Sequence, residues 1–442
     1  MDYWITRFCF QKALAFVYLV GFLIAFWQFK PLLGEKGLLP VPYFLQRVRF
    51  KDTPSLFFAC SKDWFVKGAS ILGILLSLTA LTGLSEAYGL YVSMAVWLGM
   101  WALYLSFVNV GQLFYGFGWE ILLLETGFLA IFLGSSDREV PVIIIWLLRL
   151  VLFRVMLGSG LIKLRADRCW KDLTSMIYHY ETQPLPGPLS TYFHRLPVIV
   201  HKSAALLTYF VELALPFGLF GPAIVRTAAG LITASFQGML ILSGNLSWLN
   251  YITLVLCVSC FDDHFLRGFI PLKVPVGLEA VPMLLIYPLV AYLLVLNIRP
   301  FRNLLSKNQM MNASFDPCRL VNTYGAFGSV TKVRREIIIE GTEATEITPD
   351  TVWKAYEFKA KPGDVKRCYP LVSPYNYKLD WQIWFAAMTN YQAEPWLISF
   401  VEKLLQGDKA SLGLLKMNPF PEKPPYFIRG LLYEYHFSSP EE

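Results

Sequence analysis

Charged side chains are scarce in this sequence. Asp, Glu, Lys and Arg make up 16% of the 442 residues, whereas hydrophobic residues make up 55%. The formal net charge of +7 comes without a long basic run, and a nucleic-acid-binding protein needs a clustered basic surface, so we expect no nucleic-acid partner. The mean hydropathy of +0.46 exceeds that of ordinary soluble proteins. A polytopic membrane protein is therefore the first class to consider.

Cysteine and histidine are also few, at seven and five. An odd cysteine number without scaffold spacing argues against a disulfide framework. Cys257 and Cys260 form a CxxC inside an apolar run, which favours a buried structural pair over a redox or zinc site. Cys318 and Cys368 could pair in an oxidising compartment. The chain contains no HExxH, G-x-S-x-G, P-loop or G-x-G-x-x-G motif, so we predict no catalytic residue, no metal and no cofactor.

Long apolar runs dominate the first 300 residues; most are near the length that a bilayer requires, and several are short enough to be re-entrant segments instead. Nine predicted spans follow from them, at about residues 8–29, 68–84, 88–109, 119–134, 140–158, 203–221, 224–243, 247–261 and 281–298. An odd number of spans places the two chain ends on opposite sides of the membrane. It also places the polar segment between the fifth and sixth spans on the side of the C-terminal part.

The composition changes near Arg299. Residues 1–299 carry 22 basic and 16 acidic side chains, and residues 300–442 carry 17 and 16, a density typical of soluble domains. Strands are predicted at 330–342, 351–361 and 425–437, and helices at 379–388 and 395–407. We therefore predict two domains. Residues 1–299 form a polytopic α-helical membrane domain with about nine transmembrane segments, and residues 300–442 form a soluble α+β, β-rich C-terminal domain.

The hairpin of the fourth and fifth spans contains four charged residues that should be paired. With Asp137 as its turn, Glu125 and Arg149 lie at equal depth, and so do Glu120 and Arg154. An unpaired charge there would cost at least ~2.5 kcal/mol. Because both pairs cannot share one straight interface, we expect at least one direct pair, with the other group reaching a third helix or the polar segment. Such pairs would fix helix register or line a substrate or proton path.

The polar segment, residues 158–202, is predicted to be a loop that interrupts the apolar runs, and its residues 158–197 read GSGLIKLRADRCWKDLTSMIYHYETQPLPGPLSTYFHRLP. Four prolines in its second half predict extended backbone. One interpretation is an aromatic, hydrogen-bonded cap on the helix ends, and the other is a partner-binding surface. The candidate residues for client binding are Lys163, Arg165, Asp167, Trp170, Asp172, Tyr178, His179, Glu181, Gln183 and His194.

This segment resembles the central signature of the lipase maturation factor family, in which K-L-R-x-D-x-C-W-x-D-L-T leads into Y-H-Y-E-T-Q-P-x-P-x-P-L-S-x-Y-F-H. Further stretches that resemble the family are NVGQLFYGFGWEILLLETGFLAIFLG at 109–134, NTYGAFGSVTKVRREIIIEGT, YEFKAKPGD, SPYNYKLDWQIWFAAM and NPFPEKPPYFIRGLLYEYHF. The resemblance therefore covers most of the chain from Asn109 to Phe437.

The resemblance implies a non-catalytic, chaperone-like membrane protein that assists folding and assembly of immature secreted lipases or similar hydrolases. Its expected location is the endoplasmic reticulum membrane in a eukaryote or the inner membrane in a bacterium, in contact with membrane lipid. Asn312, in an Asn-Ala-Ser sequon, is a glycosylation candidate. The alternative is a membrane-integral enzyme similar to relatives of vitamin K-dependent carboxylases, acting through Lys163, His179 and Glu181. A transporter is disfavoured because the sequence has no internal repeat.

Overall fold

The structure is a computed structural model that describes residues 2–438. Helices account for most of its regular structure, and short 3-10 turns connect several of them. The α-helices in chain order are α1 (Trp4–Leu33), α2 (Val41–Leu45), α3 (Asp63–Thr82), α4 (Leu84–Ala87), α5 (Leu90–Val110), α6 (Gly118–Ala130), α7 (Val142–Arg165), α8 (Arg168–Lys171), α9 (Ser175–Thr182), α10 (Ser190–His194), α11 (Val198–Tyr209), α12 (Ala223–Ser243), α13 (Leu249–Val258), α14 (Asp263–Leu266), α15 (Met283–Leu305), α16 (Lys378–Ala386), α17 (Pro395–Leu405) and α18 (Lys409–Leu412).

Seven helical segments within the described residues are long and apolar enough to cross a membrane. Six of them are α1, α3, α5, α7, α12 and α15, and the seventh is α11 together with the π-helical and 3-10 turns that extend it to Phe220. Each has at least 20 residues, which matches a hydrocarbon core about 30 Å thick.

The other two predicted spans, 119–134 and 247–261, form the shorter helices α6 and α13, of 13 and 10 residues. At 1.5 Å per residue they are about 20 and 15 Å long, too short to cross a bilayer unaided. Both nevertheless connect the same two faces of the bundle, as the contacts of the residues around them show. Asn245 before α13 bonds the Pro370 carbonyl and Asp263 after it bonds the Trp4 amide. Likewise, Gln112 before α6 bonds the Leu39 carbonyl, and the Arg138 carbonyl after it accepts a hydrogen bond from Arg7. Almost every side chain of α6 is buried, so this helix is surrounded by protein rather than lipid.

The ends of the helices fall on two faces. On the N-terminal face, Asp263 accepts hydrogen bonds from the backbone of Trp4 and Ile5, both at 2.9 Å. On the opposite face, which we call the C-terminal face, Asn109 donates to the Pro317 carbonyl at 3.1 Å. The polar segment and the chain after α15 both lie on the C-terminal face. The predicted placement of these two regions on one side is thus observed.

The C-terminal part contains a three-stranded antiparallel sheet of β1 (Arg334–Thr342), β2 (Lys354–Ala355) and β3 (Phe427–Tyr435), in the order β2-β1-β3. β1 and β3 pair along their whole length, and β2 is only two residues long. The predicted strands at 330–342 and 425–437 and both predicted helices are present. The strand predicted at 351–361 is reduced to β2, because only Lys354 and Ala355 pair with β1.

The C-terminal part packs tightly on the helices. Trp381 of α16 contacts Trp119 of α6, with ring centroids 4.9 Å apart, and Trp396 of α17 contacts Phe114 at 5.9 Å. Both tryptophans are at most 4% exposed. Since these rings join both regions in one hydrophobic core, the C-terminal part holds the polar segment against the membrane helices.

Candidate functional site

The polar segment is folded and largely buried rather than a loop. It contains the end of α7, the short helices α8, α9 and α10, and the start of α11. The backbone predicted to be extended is non-helical at residues 183–189, between α9 and α10, and at residues 195–197, between α10 and α11. The four residues of α8 are capped by Asp167, which accepts a hydrogen bond from the Cys169 amide at 2.9 Å.

Arg334, at the start of β1, anchors the polar segment to the sheet. Its Nη1 donates to the carbonyls of Glu181, at 2.9 Å, and of Gln183, and its Nη2 donates to the Pro184 carbonyl at 3.0 Å. Its Nε donates to Glu336 Oε1 at 2.8 Å, and Nη2 contacts the same carboxylate. All five N–H donors of this 1% exposed side chain therefore have acceptors. The end of α9 is fixed to β1 by a fully satisfied guanidinium.

The Glu181 carboxylate, 8% exposed, holds the end of the C-terminal strand. Its Oε2 accepts a hydrogen bond from the Phe437 amide at 2.8 Å, and its Oε1 lies 3.3 Å from His436 Nδ1. His194 Nε2 is 3.8 Å from the same carboxylate. Burial lowers the pKa of His194, against the pull of Glu181, whereas hydrogen bonding to Glu434 raises the pKa of His436. Glu181 thus connects α9, α10 and the residues after β3.

Trp170 and Asp167 attach the polar segment to the chain just before β1. Trp170 is 2% exposed and donates from Nε1 to the Phe327 carbonyl at 2.8 Å. Asp167 Oδ2 accepts a hydrogen bond from the Val330 amide at 3.1 Å. His179 packs its ring edge-to-face on Phe327, 4.8 Å between centroids, and burial lowers its pKa to about 4. His179 is therefore neutral at physiological pH and acts as an aromatic packing residue.

Gln183 links the polar segment to the end of α12. Its Nε2 donates to the Ser243 carbonyl at 2.7 Å and to Ser190 Oγ at 3.0 Å. A Cβ at Gly244 would lie 1.9 Å from Gln183 Oε1, so glycine permits this approach. The side chain of Gln183 is 3% exposed and is committed to these internal contacts.

Lys163, near the end of α7, forms a buried ion pair with Glu212. Nζ lies 2.7 Å from both carboxylate oxygens and 5.3 Å from the centre of the Trp170 ring. Glu212 belongs to the π-helical turn Phe210–Ala214, an irregularity that turns the carboxylate toward α7. Lys163 and Glu212 are 3% and 5% exposed. Their ion pair joins two membrane-spanning segments, α7 and the segment that begins with α11.

Of the ten predicted client-binding residues, Asp172 is exposed and four others are partly accessible. Asp172 pairs with Arg168 at 3.3 Å, and Arg165 donates to Gln309 Oε1 at 2.7 Å. Lys332 Nζ lies 5.8 Å from the Tyr178 ring. The five fully buried residues of the set are Lys163, Trp170, His179, Glu181 and Gln183, and the partly accessible ones are Arg165, Asp167, Tyr178 and His194.

The predicted partners in the hairpin of α6 and α7 are wrong. Glu125 pairs with Arg154 rather than with Arg149, and both side chains are 2% exposed. Glu125 and Arg154 are equidistant from the bond between Glu139 and Val140, so the hairpin turns two to three residues later than assumed. The reason is that residues 131–141 form an irregular connection between the helices rather than a tight turn at Asp137.

Glu120 and Arg149 also have partners other than those predicted. Glu120 pairs with Lys378 of α16 at 2.7 Å, with no side-chain exposure on either partner. Arg149 donates from Nε to the Ser259 carbonyl at 2.8 Å and from Nη2 to Tyr3 Oη at 2.9 Å. Burial lowers the pKa of Lys378, and the Glu120 carboxylate opposes this shift. Glu120 thus reaches the C-terminal part of the chain.

The glycosylation candidate Asn312 lies on the C-terminal face, and its side chain is exposed. Its Oδ1 accepts a weak hydrogen bond from the Gly325 amide at 3.4 Å. The other sequon asparagine, Asn245, is 1% exposed and bonds the carbonyls of Pro186 and Pro370 at 3.1 and 2.9 Å. A glycan cannot be attached at Asn245 without breaking these contacts.

Four residues of the site were not found from the sequence: Arg334, Glu336, Lys378 and Asn322, whose backbone and side-chain amides both donate to Glu125 Oε2 at 3.0 Å. All four lie in the C-terminal part of the chain. Arg334, Asn322 and Lys378 bond partners at least 150 positions away in the sequence, and Glu336 bonds Arg334. One signal was present, because Arg334 and Glu336 alternate on a strand whose inward face should be apolar. Inward charges on a strand indicate a buried polar partner.

Within residues 2–438, all seven cysteines are free thiols, so Cys318 and Cys368 do not form the bond considered above. Cys257 and Cys260 are buried at the end of α13, as the apolar run predicts. Among the described residues no group of three or more His, Cys, Asp or Glu side chains is arranged to hold a metal ion.

Two family models match the chain. The lipase maturation factor transmembrane domain matches residues 5–268, and the lipase maturation factor C-terminal domain matches residues 320–442. The chain belongs to the lipase maturation factor family. With its seven membrane-compatible helices, this family member is a multi-pass integral membrane protein.

Relatives of the family match along nearly the whole chain. Lipase maturation factor 1 of Mus musculus is 43% identical, over 99% of this chain and 83% of the relative. Lipase maturation factor 1 of Homo sapiens is 42% identical, over 99% and 84%. Lipase maturation factor 2 of Xenopus tropicalis is 28% identical, over 99% and 79%. No solved structure matches the chain.

Proposed function

We propose that this protein is a membrane-embedded folding factor that assists the folding and assembly of secreted lipases or related hydrolases. The observation that carries the proposal is the 42–43% identity to lipase maturation factor 1, which extends over 99% of the chain. The polar segment and the C-terminal sheet lie together on one face of the membrane helices, and this joint surface supports the same proposal. None of the comparisons supports the alternative of a carboxylase-like membrane enzyme.

In this proposal the client-binding surface consists of the exposed side chains around a rigid polar segment. The buried residues Lys163, Trp170, His179, Glu181 and Gln183 hold that segment in place and do not touch the client. The exposed aromatic and charged side chains of the same face bind the client. Broad surfaces of this kind suit a factor that releases its client after the client has buried its own apolar surface.

The exposed groups available for this role are found in both parts of the face. In α10, Tyr192 is 63% exposed, and in β3, Tyr433 is 50% exposed. Tyrosine contributes large contact area with few rotatable bonds, and it is enriched at the centre of protein interfaces. We assign these two side chains to the client-binding surface, together with Asp172 and Tyr178.

The proposal places the C-terminal face in the lumen of the endoplasmic reticulum if the source is eukaryotic, or outside the inner membrane if it is bacterial. Secreted hydrolases fold on that side of the membrane. The division of the chain into residues 1–299 and 300–442 is part of the proposal, with the junction moved to the end of α15 at Leu305, because the helix continues through Arg299.

The test is co-expression of the full-length protein with a secreted dimeric lipase in cells that lack their own maturation factors. We expect higher specific activity of the secreted lipase and a larger dimer fraction in sedimentation. Tyr192→Ala and Tyr433→Ala together should reduce this gain, whereas Tyr88→Ala, a 73% exposed tyrosine on the N-terminal face, should not. An unchanged specific activity with and without the protein would contradict the proposed function.

A further inference from the structure

A cavity of about 160 Å³ lies where the end of α1 meets the C-terminal part of the chain. None of its lining residues belongs to the polar segment. A water molecule occupies about 30 Å³ in the liquid, so the cavity has room for a group of several heavy atoms. The lining residues are Trp27, Gln28, Lys359, Tyr375, Tyr377, Leu379, Asp380, Gly413 and Leu414.

Asp380 supplies a buried carboxylate to this lining. Its side chain is fully buried, and Oδ2 accepts hydrogen bonds from the Ala360 and Lys361 amides at 2.6 and 3.0 Å. Oδ1 has no hydrogen-bond partner within residues 2–438. A buried acceptor without a hydrogen-bond partner is unfavourable, and burial raises the pKa of this carboxyl against the opposing effect of the Lys361 and Arg367 charges. A cationic group in the cavity would stabilise the ionised carboxylate further.

Aromatic side chains form the walls next to this carboxylate. The rings of Tyr375 and Tyr377 are 5.1 Å apart between centroids and inclined at 60°, and Trp27 lines the same cavity. Ring faces carry negative potential, and two or three of them around a space attract a quaternary ammonium group. A carboxylate beside angled aromatic rings is the chemistry that recognises a methylated ammonium.

The lining also contains a cation. Lys359 Nζ donates to the Gly413 carbonyl at 2.7 Å and lies 5.6 Å from the centre of the Tyr377 ring. The Gly413 bond uses one of three ammonium hydrogens, so two remain for an anionic oxygen. A buried carboxylate and a lysine in the lining of one cavity match a small zwitterion with an ammonium and a phosphate.

The position of the cavity favours a lipid over a dissolved zwitterion. Trp27 lies in the last two turns of α1, is 66% exposed and is the most exposed side chain of the lining. Trp64, in the first turn of the neighbouring α3, is 68% exposed. Exposed tryptophans at the ends of adjacent membrane-spanning helices mark the headgroup level of the bilayer. Lys30 and Asp63 pair at 3.6 Å at the same level.

We propose that this cavity binds the phosphocholine headgroup of a membrane lipid, with the quaternary ammonium against Asp380 and the aromatic walls and the phosphate toward Lys359. The site is independent of the proposed role in lipase maturation. A lipid bound there would bridge α1 and α16, and so would strengthen the attachment of the C-terminal part to the membrane helices.

The experiment measures binding of a fluorescent short-chain phosphatidylcholine to the full-length protein in a maltoside detergent. Phosphatidylglycerol of the same chain length serves as the lipid control. Asp380→Asn keeps an acceptor for the two backbone amides but removes the charge, and we expect about tenfold weaker phosphatidylcholine binding; Tyr377→Leu should weaken it about three- to tenfold. Trp64→Ala, an equally exposed tryptophan outside the cavity, should bind as the unmodified protein does.

Equal affinity for phosphatidylcholine and phosphatidylglycerol would overturn the proposal, and so would unchanged binding by both cavity variants. If soluble phosphocholine displaced the fluorescent lipid as well as unlabelled phosphatidylcholine does, the assignment to a membrane lipid would be overturned. If a lysine-containing peptide displaced it better than either compound, the ligand would be a protein segment rather than a lipid. If Asp380→Asn fails to fold, Tyr377→Leu and the lipid pair still decide the result.

Discussion

Replacing Arg334 should detach the polar segment from the sheet. Arg334→Ala removes five hydrogen-bond donors, and three buried carbonyls and the Glu336 carboxylate lose a partner. Breaking a buried ion pair costs about 3–5 kcal/mol. Lys361 Nζ remains 3.0 Å from Glu336, so the lower end of the range, about 3 kcal/mol, applies. At about 2.1 cal/mol/K per residue, the unfolding entropy of 442 residues corresponds to about 1 °C per kcal/mol, so the midpoint of thermal unfolding should fall by roughly 3 °C.

The assay is thermal unfolding of the purified protein in detergent, followed by intrinsic tryptophan fluorescence. Arg334→Lys keeps the charge but not the planar fork, so it should fall between the alanine variant and the original protein. Arg335→Ala is the matched control, because this neighbouring arginine is exposed. The reasoning would be refuted if Arg334→Ala and Arg335→Ala unfolded at the same temperature.

Three further predictions concern other contacts. A double-mutant cycle of Glu125→Gln and Arg154→Met should give a coupling energy of about 1–3 kcal/mol in the same unfolding assay. Hydrogen bonding to Glu434 raises the pKa of His436 above 6.5, so its stabilisation is complete below pH 6.5 and is lost as the pH rises through the raised value. Amide exchange in β3, corrected for its intrinsic rate, should therefore be faster at about pH 8 than at pH 6.5. Gly158→Ala should destabilise by about 1–3 kcal/mol, because its Cβ would lie 2.3 Å from a backbone carbonyl.

Each of these predictions has an internal control. For the double-mutant cycle, the control replaces Arg149 instead of Arg154. Because Arg149 was the predicted partner of Glu125 but does not contact it, the two substitutions should change the free energy of unfolding additively. His436→Gln should abolish the pH difference in β3, and a difference that persists in this variant would assign the effect elsewhere. Gly68→Ala should be neutral or stabilising, since a Cβ at this position would have no neighbouring atom within 4 Å.

Local signals in the sequence predicted the elements well. Apolar run length located all seven long helices of the described residues, because it depends on which side chains must leave water, and runs of strand-forming residues bounded by turn signals located β1 and β3. The joint placement of the polar segment and the C-terminal part followed from counting spans. These predictions needed no knowledge of contacts between distant residues.

The partners within the site could not be predicted in the same way. A pairing predicted from equal depth in a hairpin requires the midpoint of the turn, and the several turn-forming residues between 131 and 141 do not define that midpoint. Glu120 reaches Lys378, a residue in another part of the chain, and no periodicity encodes such a contact. The polar segment was expected to be a loop, but Trp170 and Glu181 are buried by the C-terminal part, which alone makes short helices stable there.

The pair of Glu120 and Lys378 has a consequence for the synthesis of the chain. The cationic partner of this buried carboxylate is 258 residues further along, so it leaves the ribosome roughly 10–50 s after α6. During that interval the carboxylate is without its ammonium partner, and Tyr104 and Trp119 are the side chains already synthesised that donate hydrogen bonds to it in the folded protein. Completion of the membrane bundle therefore depends on the last third of the polypeptide, and in a chain that ended before α16 the Glu120 carboxylate would lack its counter-ion.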